Sequence, residues 1–244
     1  MHPAPLGDPH HLRTEQARVA LPLQIQRPME TPIPTMPRIG DKAPDFEANT
    51  THGPLTFSEY IKDHWTILFS HPADFTPVCT TELSEFARNK DWFAAHKTRL
   101  IGLSIDSIHS HVAWVQNVRE RTGVYLDFPI IADIDMRVSK LYGMLHENTS
   151  NTAAVRAVFF IDPAATIRLI MYYPLNVGRN MDEIMRVLEA LQTADAHACA
   201  MPVNWRKGDQ VIIPPPKTLK DLDARLKDES LEKVDFYLAK KQLA

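Results

Sequence analysis

The chain has two cysteines, Cys79 and Cys199, and their settings differ. Cys79 lies in Ser70-His71-Pro72-Ala73-Asp74-Phe75-Thr76-Pro77-Val78-Cys79-Thr80-Thr81-Glu82. An apolar run, Trp65 to Phe69, leads in, and an amphipathic segment from Thr80 to about Ala95 leads out. The pattern predicts a strand, a proline-punctuated loop and a helix, with Cys79 in the helix's first turn. There the unpaired N–H groups and the positive end of the helix dipole stabilise a thiolate. Pro72 and Pro77 stiffen the approach, and Thr76 places a hydroxyl three residues before the sulfur. A buried, inert thiol is the commoner fate of a lone cysteine. Such thiols rarely sit between Thr-Pro and Thr-Thr-Glu at a helix start, so Cys79 is the candidate nucleophile.

Other elements must position this loop. Arg38 to Phe46, with Pro44 and turn residues, reads as a surface crossing. Leu55 to Ser58 leads into a short helical turn with Ser58 as N-cap. Leu83, Phe86, Ala87, Phe93 and Ala94 give the helix after Cys79 an apolar face, interrupted at Lys90. Arg99 to Asp106 reads as a buried strand. His109 to Thr122 reads as a helix with Val112, Val115 and Val118 inward, stopped at Gly123. His109 and His111 are two residues apart and do not share a helix face, which argues against a metal pair. Phe128 to Asp133 is a short strand and Met136 to Tyr142 a short helix. Val155 to Ile161 and Thr166 to Tyr173 form two strong strands around Asp162-Pro163-Ala164-Ala165, close enough for an antiparallel hairpin. Asn180 to Ala194 is the clearest helix, with Ile184, Val187, Leu188 and Leu191 on one face. This alternation predicts an α/β sandwich with a mixed sheet, and by itself equally suits a flavodoxin-like sheet.

Both ends differ from this middle. Eight of the 19 prolines fall in the first 37 residues. They forbid a long helix, and no apolar stretch there reads as a secretory signal. Residues 1–36 are expected to be a disordered Pro-rich extension, with Met29 and Met36 as alternative starts, and His10-His11 is too short for a metal site. After Asp195, Met201 to Asp209 and Val211 to Pro216 read as small strands and extended links, and Thr218 to Lys227 as a short charged helix. Such a tail has too little core to fold alone and is expected to pack on the main domain or on a partner subunit. The formal charge of −3 points to neither nucleic acid nor membrane, and no apolar run approaches the ~20 residues of a span. Two cysteines exclude a disulfide scaffold and make a reducing, cytoplasmic setting the expectation.

The stretch around Cys79 resembles the peroxiredoxins, whose signature is a Pro-x-x-x-Thr-x-x-Cys loop, here Pro72, Thr76 and Cys79. His71 to Glu82 is similar to the 1-Cys subfamily, and Gly40-Asp41-Lys42-Ala43-Pro44-Asp45-Phe46 to the family's entry segment. The resemblance runs from about Pro37 to about Asp223. It implies a thioredoxin-like fold over 37–194 and a small C-terminal dimerisation domain over 195–244. It also implies reduction of hydrogen peroxide and organic hydroperoxides through a Cys79 sulfenic acid, without metal, haem or flavin. Arg156, in Arg156-Ala157-Val158-Phe159-Phe160-Ile161-Asp162, resembles the arginine the family places over the cysteine. Arg179 resembles a second arginine near the site, and His71 the subfamily histidine near the sulfur. Glu82, one turn past Cys79, is placed to orient Arg156 by a charge-assisted pair. The Gly-x-Ser-x-Gly motif that gives some relatives a phospholipase activity is absent from Lys62-Asp63-His64-Trp65-Thr66.

A cysteine of ordinary pKa, about 8.5, is roughly 3% thiolate at pH 7. Lowering the pKa to about 5.5 gains roughly 30-fold in thiolate and loses roughly 20-fold in nucleophilicity. The two nearly cancel, so speed must come from groups that hold the peroxide and stabilise its leaving oxygen. Thr76, the Cys79 N–H and Arg156 are the expected groups. The sulfenic acid must then be reduced. Cys199, between Ala198 and Ala200, is a possible resolving cysteine, although its context does not resemble the Val-Cys-Pro site of typical 2-Cys peroxiredoxins. Otherwise an external thiol, glutathione or a thioredoxin-type protein, is the reductant. A homodimer or a larger ring is the expected assembly. The alternative functions are a peroxide-sensing redox relay and a holdase-type chaperone oligomer.

Overall fold

A computed structural model describes residues 36–146, 148–150 and 152–243. The proline-rich extension, His10-His11 and the alternative start at Met29 lie outside the described residues. All described residues fall in one compact unit.

The centre is a seven-stranded mixed sheet with strand order β2-β1-β5-β4-β3-β6-β7. The middle strand, β3 (Trp65–Ser70), is buried at every position. It runs parallel to β4 (Thr98–Ser104) and antiparallel to β6 (Arg156–Ile161). β5 (Ile130–Ala132) continues the parallel side. β7 (Ile167–Tyr173) closes the other edge as the expected antiparallel hairpin with β6. β1 (Glu47–Thr50) and β2 (Gly53–Thr56) form a hairpin at the β5 edge.

Because side chains alternate along a strand, β3 feeds two cores. Ile67 and Phe69 point to one face, with Leu83 and Phe86 of α2 (Pro77–Arg88), Trp114 and Val118 of α4 (Ile108–Thr122), and Ile184, Val187 and Leu188 of α6 (Met181–His197). Leu68 points to the other, with Phe57 and Ile61 of α1 (Phe57–Ile61) and Val138 of α5 (Arg137–Leu141). Burying both faces is what makes the centre of the sheet read as continuous apolar runs.

Several expectations are corrected. The helix after Cys79 begins at Pro77 and breaks at Asn89, beyond which α3 (Lys90–Ala95) follows. Thr56, not Ser58, precedes α1, and the Ser58 N–H instead donates to Asp45 Oδ1 at 2.8 Å. The inward face of α4 is His111, Trp114 and Val118, while Val112 is exposed. The large Trp114 ring sets that face and the small valines follow. α6 starts after Asn180, whose side chain accepts the Glu183 N–H at 3.2 Å. It runs three residues past the expected boundary at 194.

The C-terminal part forms a three-stranded sheet, β8-β10-β9, from Val211–Ile213, Leu238–Lys241 and Glu232–Asp235. Of the expected small strands and extended links, Val211–Ile213 is the strand, and Met201 to Asp209 is extended links and turns beside the isolated Ala200–Ile212 bridge. α7 (Leu219–Lys227) is capped by Thr218, whose Oγ1 accepts the Asp221 N–H at 3.1 Å. Arg225 stitches this region together, donating to the carbonyls of Ile213, Pro214 and Phe236.

Candidate active site

The loop from β3 to α2 delivers Cys79 to the third position of α2. Pro77 opens the helix, where its missing N–H leaves nothing unpaired and its fixed φ suits the first turn. The first intrahelical bond is Thr80 N–H to Thr76 O, 3.0 Å. The Cys79 N–H precedes it and is not consumed by the helix. The sulfur is fully buried.

Arg156 opens β6 directly across from this turn. Its Nη1 lies 3.3 Å from Cys79 Sγ and donates to Glu82 Oε2 at 2.6 Å. Nε and Nη2 both donate to Leu175 O, at 3.1 and 2.7 Å, which fixes the plane of the guanidinium. Arg179, from the β7–α6 loop, grips the same carboxylate with Nε and Nη2 at 3.0 and 2.7 Å, and its backbone N–H adds a third bond at 2.8 Å. Its Nη1 donates to Ser70 O and Ala157 O, tying the cluster to β3 and β6. The guanidinium lies over Phe69 and Phe86, 5.3 and 5.5 Å from the ring centres. Burial alone would raise the Glu82 pKa, but the two arginines outweigh it and hold the carboxyl below its usual range. Two buried guanidinium ions against one carboxylate leave an excess positive charge beside the sulfur. That excess suits a thiolate, and an oxyanion forming next to it.

Thr76 Oγ1 donates to Ala73 O at 2.8 Å. Its proton is therefore in use, and its lone pairs are what it offers to an incoming O–H. Pro72 is half-buried in the same loop. Phe75 stands in the left-handed region, φ 53°, with its ring more than half exposed. A bulky residue there is strained by roughly 1–3 kcal/mol and persists only where its surroundings fix it.

That fixing comes from His71 together with residues the sequence did not single out. Asp74 is buried between two histidines. His71 Nε2 donates to Asp74 Oδ1 at 3.0 Å, and His111 Nδ1 faces Oδ2 at 2.8 Å. His111 Nε2 lies 3.1 Å from Ile131 O. The Asp74 N–H donates to Asp106 Oδ2 at 3.0 Å, and Ser104 Oγ holds the same oxygen at 2.6 Å. Burial opposes the Asp74 charge, yet the hydrogen bonds from His111 and His71 lower its pKa to about 2. His71 is fully buried, so it is not a solvated loop histidine; desolvation pushes its pKa down and favours the neutral ring. His71, Asp74 and His111 have ligand atoms within 4.8 Å of one another, the one such group among the described residues. Their mutual hydrogen bonds account for the closeness, and we read them as a hydrogen-bonded chain rather than as ligands.

Cys199 is not brought to this site. It follows α6 in an apolar cluster with Trp205 and Val211. A cleft of about 660 Å³ lies along β1, β2 and Asp133 to Val138 and is lined by none of these site residues. A smaller one, about 340 Å³, opens against Glu82 and Arg179.

The AhpC/TSA family matches residues 39–170, and the C-terminal domain of 1-Cys peroxiredoxin matches residues 190–229. Peroxiredoxin 2 of Caldanaerobacter subterraneus subsp. tengcongensis is 51% identical over 209 residues, 85% of this chain and 94% of that protein. The peroxiredoxin of Aquifex aeolicus is 47% identical over 221 residues, 86% and 99% of the two chains. Among solved structures, a yeast mitochondrial 1-Cys peroxiredoxin, described as resolved via glutathione/thioredoxin systems, superposes with a TM-score of 0.78 at 43% identity, covering 85% of this chain and all of that one. A buried cysteine at a helix start, an arginine against its sulfur and a thioredoxin-like sheet behind them thus come with family-wide similarity: the chain belongs to the AhpC/TSA family, and within it to the 1-Cys peroxiredoxins, the thiol-dependent peroxidases.

Proposed function

We propose that Cys79 is the nucleophile of this peroxidase and that Arg156 is its principal electrostatic partner. The observation that carries this is the 3.3 Å approach of Arg156 Nη1 to Cys79 Sγ. The Cys79 thiolate attacks one oxygen of the hydroperoxide, the O–O bond breaks, and Cys79 becomes a sulfenic acid. The departing oxygen leaves as water or an alcohol after taking a proton. Thr76 accepts a hydrogen bond from the peroxide O–H, because its own proton is already given to Ala73. Arg156 and the Cys79 N–H stabilise the charge on the leaving oxygen. Glu82 and Arg179 hold Arg156 in place, and Pro72 and His71 shape the loop.

Two equivalents of an external thiol then return the sulfenic acid to the thiol, releasing water and a disulfide. The burial of Cys199 in an apolar cluster away from the site supports an external reductant over Cys199 as resolving cysteine. A glutathione or thioredoxin-type donor is the reading the yeast relative suggests. Val203, Leu219, Val234, Phe236 and Tyr237 of the C-terminal part are exposed. This supports residues 195–244 as a dimerisation domain, since a partner subunit would cover them. No helix among the described residues is long and apolar enough to cross a membrane. Two free cysteines fit a reducing, cytoplasmic compartment.

The test is peroxide consumption with glutathione, thioredoxin and a small dithiol as alternative donors. Sustained turnover with one of them supports the peroxidase cycle. A single turnover that none of them restores would favour the redox relay instead. Sedimentation of the full chain as a monomer would overturn the dimer.

A further inference from the structure

The His71–Asp74–His111 chain carries more than loop packing. His111 has an acceptor at each ring nitrogen: the Asp74 carboxylate at 2.8 Å from Nδ1 and the Ile131 carbonyl at 3.1 Å from Nε2. A carbonyl only accepts, and so does an ionised carboxylate. A neutral imidazole has one N–H and would leave one of these buried contacts without a proton. His71 is the reverse case. Its Nε2 meets Asp74 Oδ1, while Nδ1 is buried with no hydrogen-bond partner among the described residues. A buried N–H left unpaired costs more than a bare ring nitrogen, so the proton sits on Nε2.

We infer that His111 is a doubly protonated imidazolium which, through Asp74, acts as the positioning residue of the active-site loop, holding His71 as the neutral Nε2–H tautomer with Nδ1 bare. Asp74 then meets two N–H donors and one positive charge, and the pair is close to neutral as a unit. This balance matters because Asp74 anchors the strained Phe75 turn that sets Thr76 and Cys79. Other charged groups facing the chain leave the assignment standing. Asp106, on the β4–α4 loop, is occupied by the Asp74 N–H and Ser104. Arg179, on the β7–α6 loop, is bound to Glu82 and lies on the Ser70 side, and together with His111 it disfavours a second proton on His71. The low Asp74 pKa agrees with a carboxylate here, as opposed to a carboxylic acid donating to a neutral His111.

Only the link to catalysis rests on the peroxidase reading; the protonation pattern does not. The experiment is nitrogen NMR of the full chain with labelled histidine, assigned by single His→Asn variants and followed from about pH 5 to 8. The expected wild-type pattern for these two rings is three protonated nitrogens and one bare one, the bare one belonging to His71. Two bare nitrogens, or a bare nitrogen on His111 in any arrangement, would overturn the inference. In His111→Asn the amide keeps a donor near Asp74 and removes the charge. Cys79 oxidation should then slow about tenfold, the scale of a misplaced loop short of a lost catalytic group. An unchanged oxidation rate in a folded His111→Asn would overturn the positioning role. Should that variant not fold, the wild-type spectrum still decides. A chain showing the expected pattern without consuming peroxide would fault the proposed function and leave this inference intact.

Discussion

Cys79 and Cys199 are both buried free thiols, yet they sit at opposite ends of helices. Cys79 lies in the first turn of α2, its sulfur 3.3 Å from the Arg156 guanidinium. Cys199 follows the C-terminal end of α6, after Ala198 in the left-handed region. Its sulfur points a weak hydrogen bond at Thr193 O, 3.8 Å away, and burial pushes its thiol pKa up. A helix C-terminus presents carbonyls, which disfavour an anion, and a helix N-terminus presents N–H groups, which favour one. If Cys79 is the nucleophile proposed above, burial does not decide whether a cysteine is inert; the polarity of the helix end and the charge packed against the sulfur do.

The largest expected effect follows directly. Cys79→Ser should abolish peroxide consumption, while Cys199→Ser should leave the first turnover intact. Single-turnover peroxide loss on the two variants tests this. Full activity in Cys79→Ser would end the comparison, and loss of the first turnover in Cys199→Ser would mean that the two thiols are not functionally opposed.

A smaller effect separates the charge near Cys79 from the helix end it occupies. Arg156→Met keeps length and removes the cation, leaving the N-terminus of α2 in place. If Arg156 served only to favour the thiolate, raising the pH to about 9 would restore the oxidation rate. Because thiolate gain and nucleophilicity loss nearly cancel, rescue should fail. The deficit should stay at about 10²-fold or more, the scale of losing one preorganised donor at a developing oxyanion. Arg156→Lys should recover part of it, since a point charge cannot bridge Glu82, Leu175 and the sulfur as the planar fork does. Stopped-flow oxidation against pH decides: a wild-type plateau in Arg156→Met would reduce Arg156 to a means of forming the thiolate.

What the sequence revealed divides along the same line. Cys79 was legible because local signals agree: apolar run, prolines, helix start. The β6–β7 pair and α6 were legible from periodicity. The β1–β2 hairpin was not, because Glu47-Ala48-Asn49-Thr50, next to the edge strand β2, has little apolar alternation to show. β9 and β10, rich in Lys, Glu and Asp, escaped for the same reason. The valine spacing on α4 predicts Val112 inward, and the Trp114 ring takes that face instead. Within the site, His71 was legible from the family resemblance, but nothing in one sequence pairs Asp74 with a residue 37 positions away. Helix-face spacing correctly separates His111 from His109, which is exposed. The partner of His111 was a loop carboxylate, which helix spacing cannot reveal.

An intermediate effect tests Glu82, which balances the two arginines. Glu82→Gln keeps shape and removes the charge, leaving Arg156 and Arg179 against a neutral amide. Arg156 keeps its Leu175 bonds, so the thiolate loses little, but the guanidinium is held less firmly. Oxidation should slow by roughly tenfold, less than in Arg156→Met, because the donor remains while its positioning weakens. Thermal unfolding should show a loss as well, since a buried ion pair broken from one side costs about 3–5 kcal/mol. An unchanged rate with lowered stability would make Glu82 a structural residue only.

The smallest effect concerns acid, and it should touch the Cys79 region while sparing Cys199. Asp74 has a folded-state pKa of about 2 against an ordinary 3.8. The folded state therefore holds the carboxylate more strongly than the unfolded chain does. This stabilisation is fully present above about pH 4 and is lost as the pH falls through about 2, a total of roughly 2 kcal/mol. His71 contributes a slope of the same sign that begins earlier, below about pH 6.5, because burial favours its neutral ring over the protonated one free in the unfolded chain. Asp74→Asn removes the first slope, since an amide does not titrate. It should be less stable than wild type at pH 7, having lost the partner of His111, yet lose less stability between about pH 4 and 2. Urea unfolding across that range measures both curves. The cluster around Cys199, Trp205 and Val211 is packed from apolar side chains, so hydrogen exchange should show the β3–α2 loop opening on acidification before the Ala200–Ile212 bridge does. Parallel acid curves for wild type and Asp74→Asn would show that Asp74 does not hold the loop electrostatically. If both regions opened together, the contrast between the two thiols would be confined to reactivity and would not extend to the stability of their surroundings.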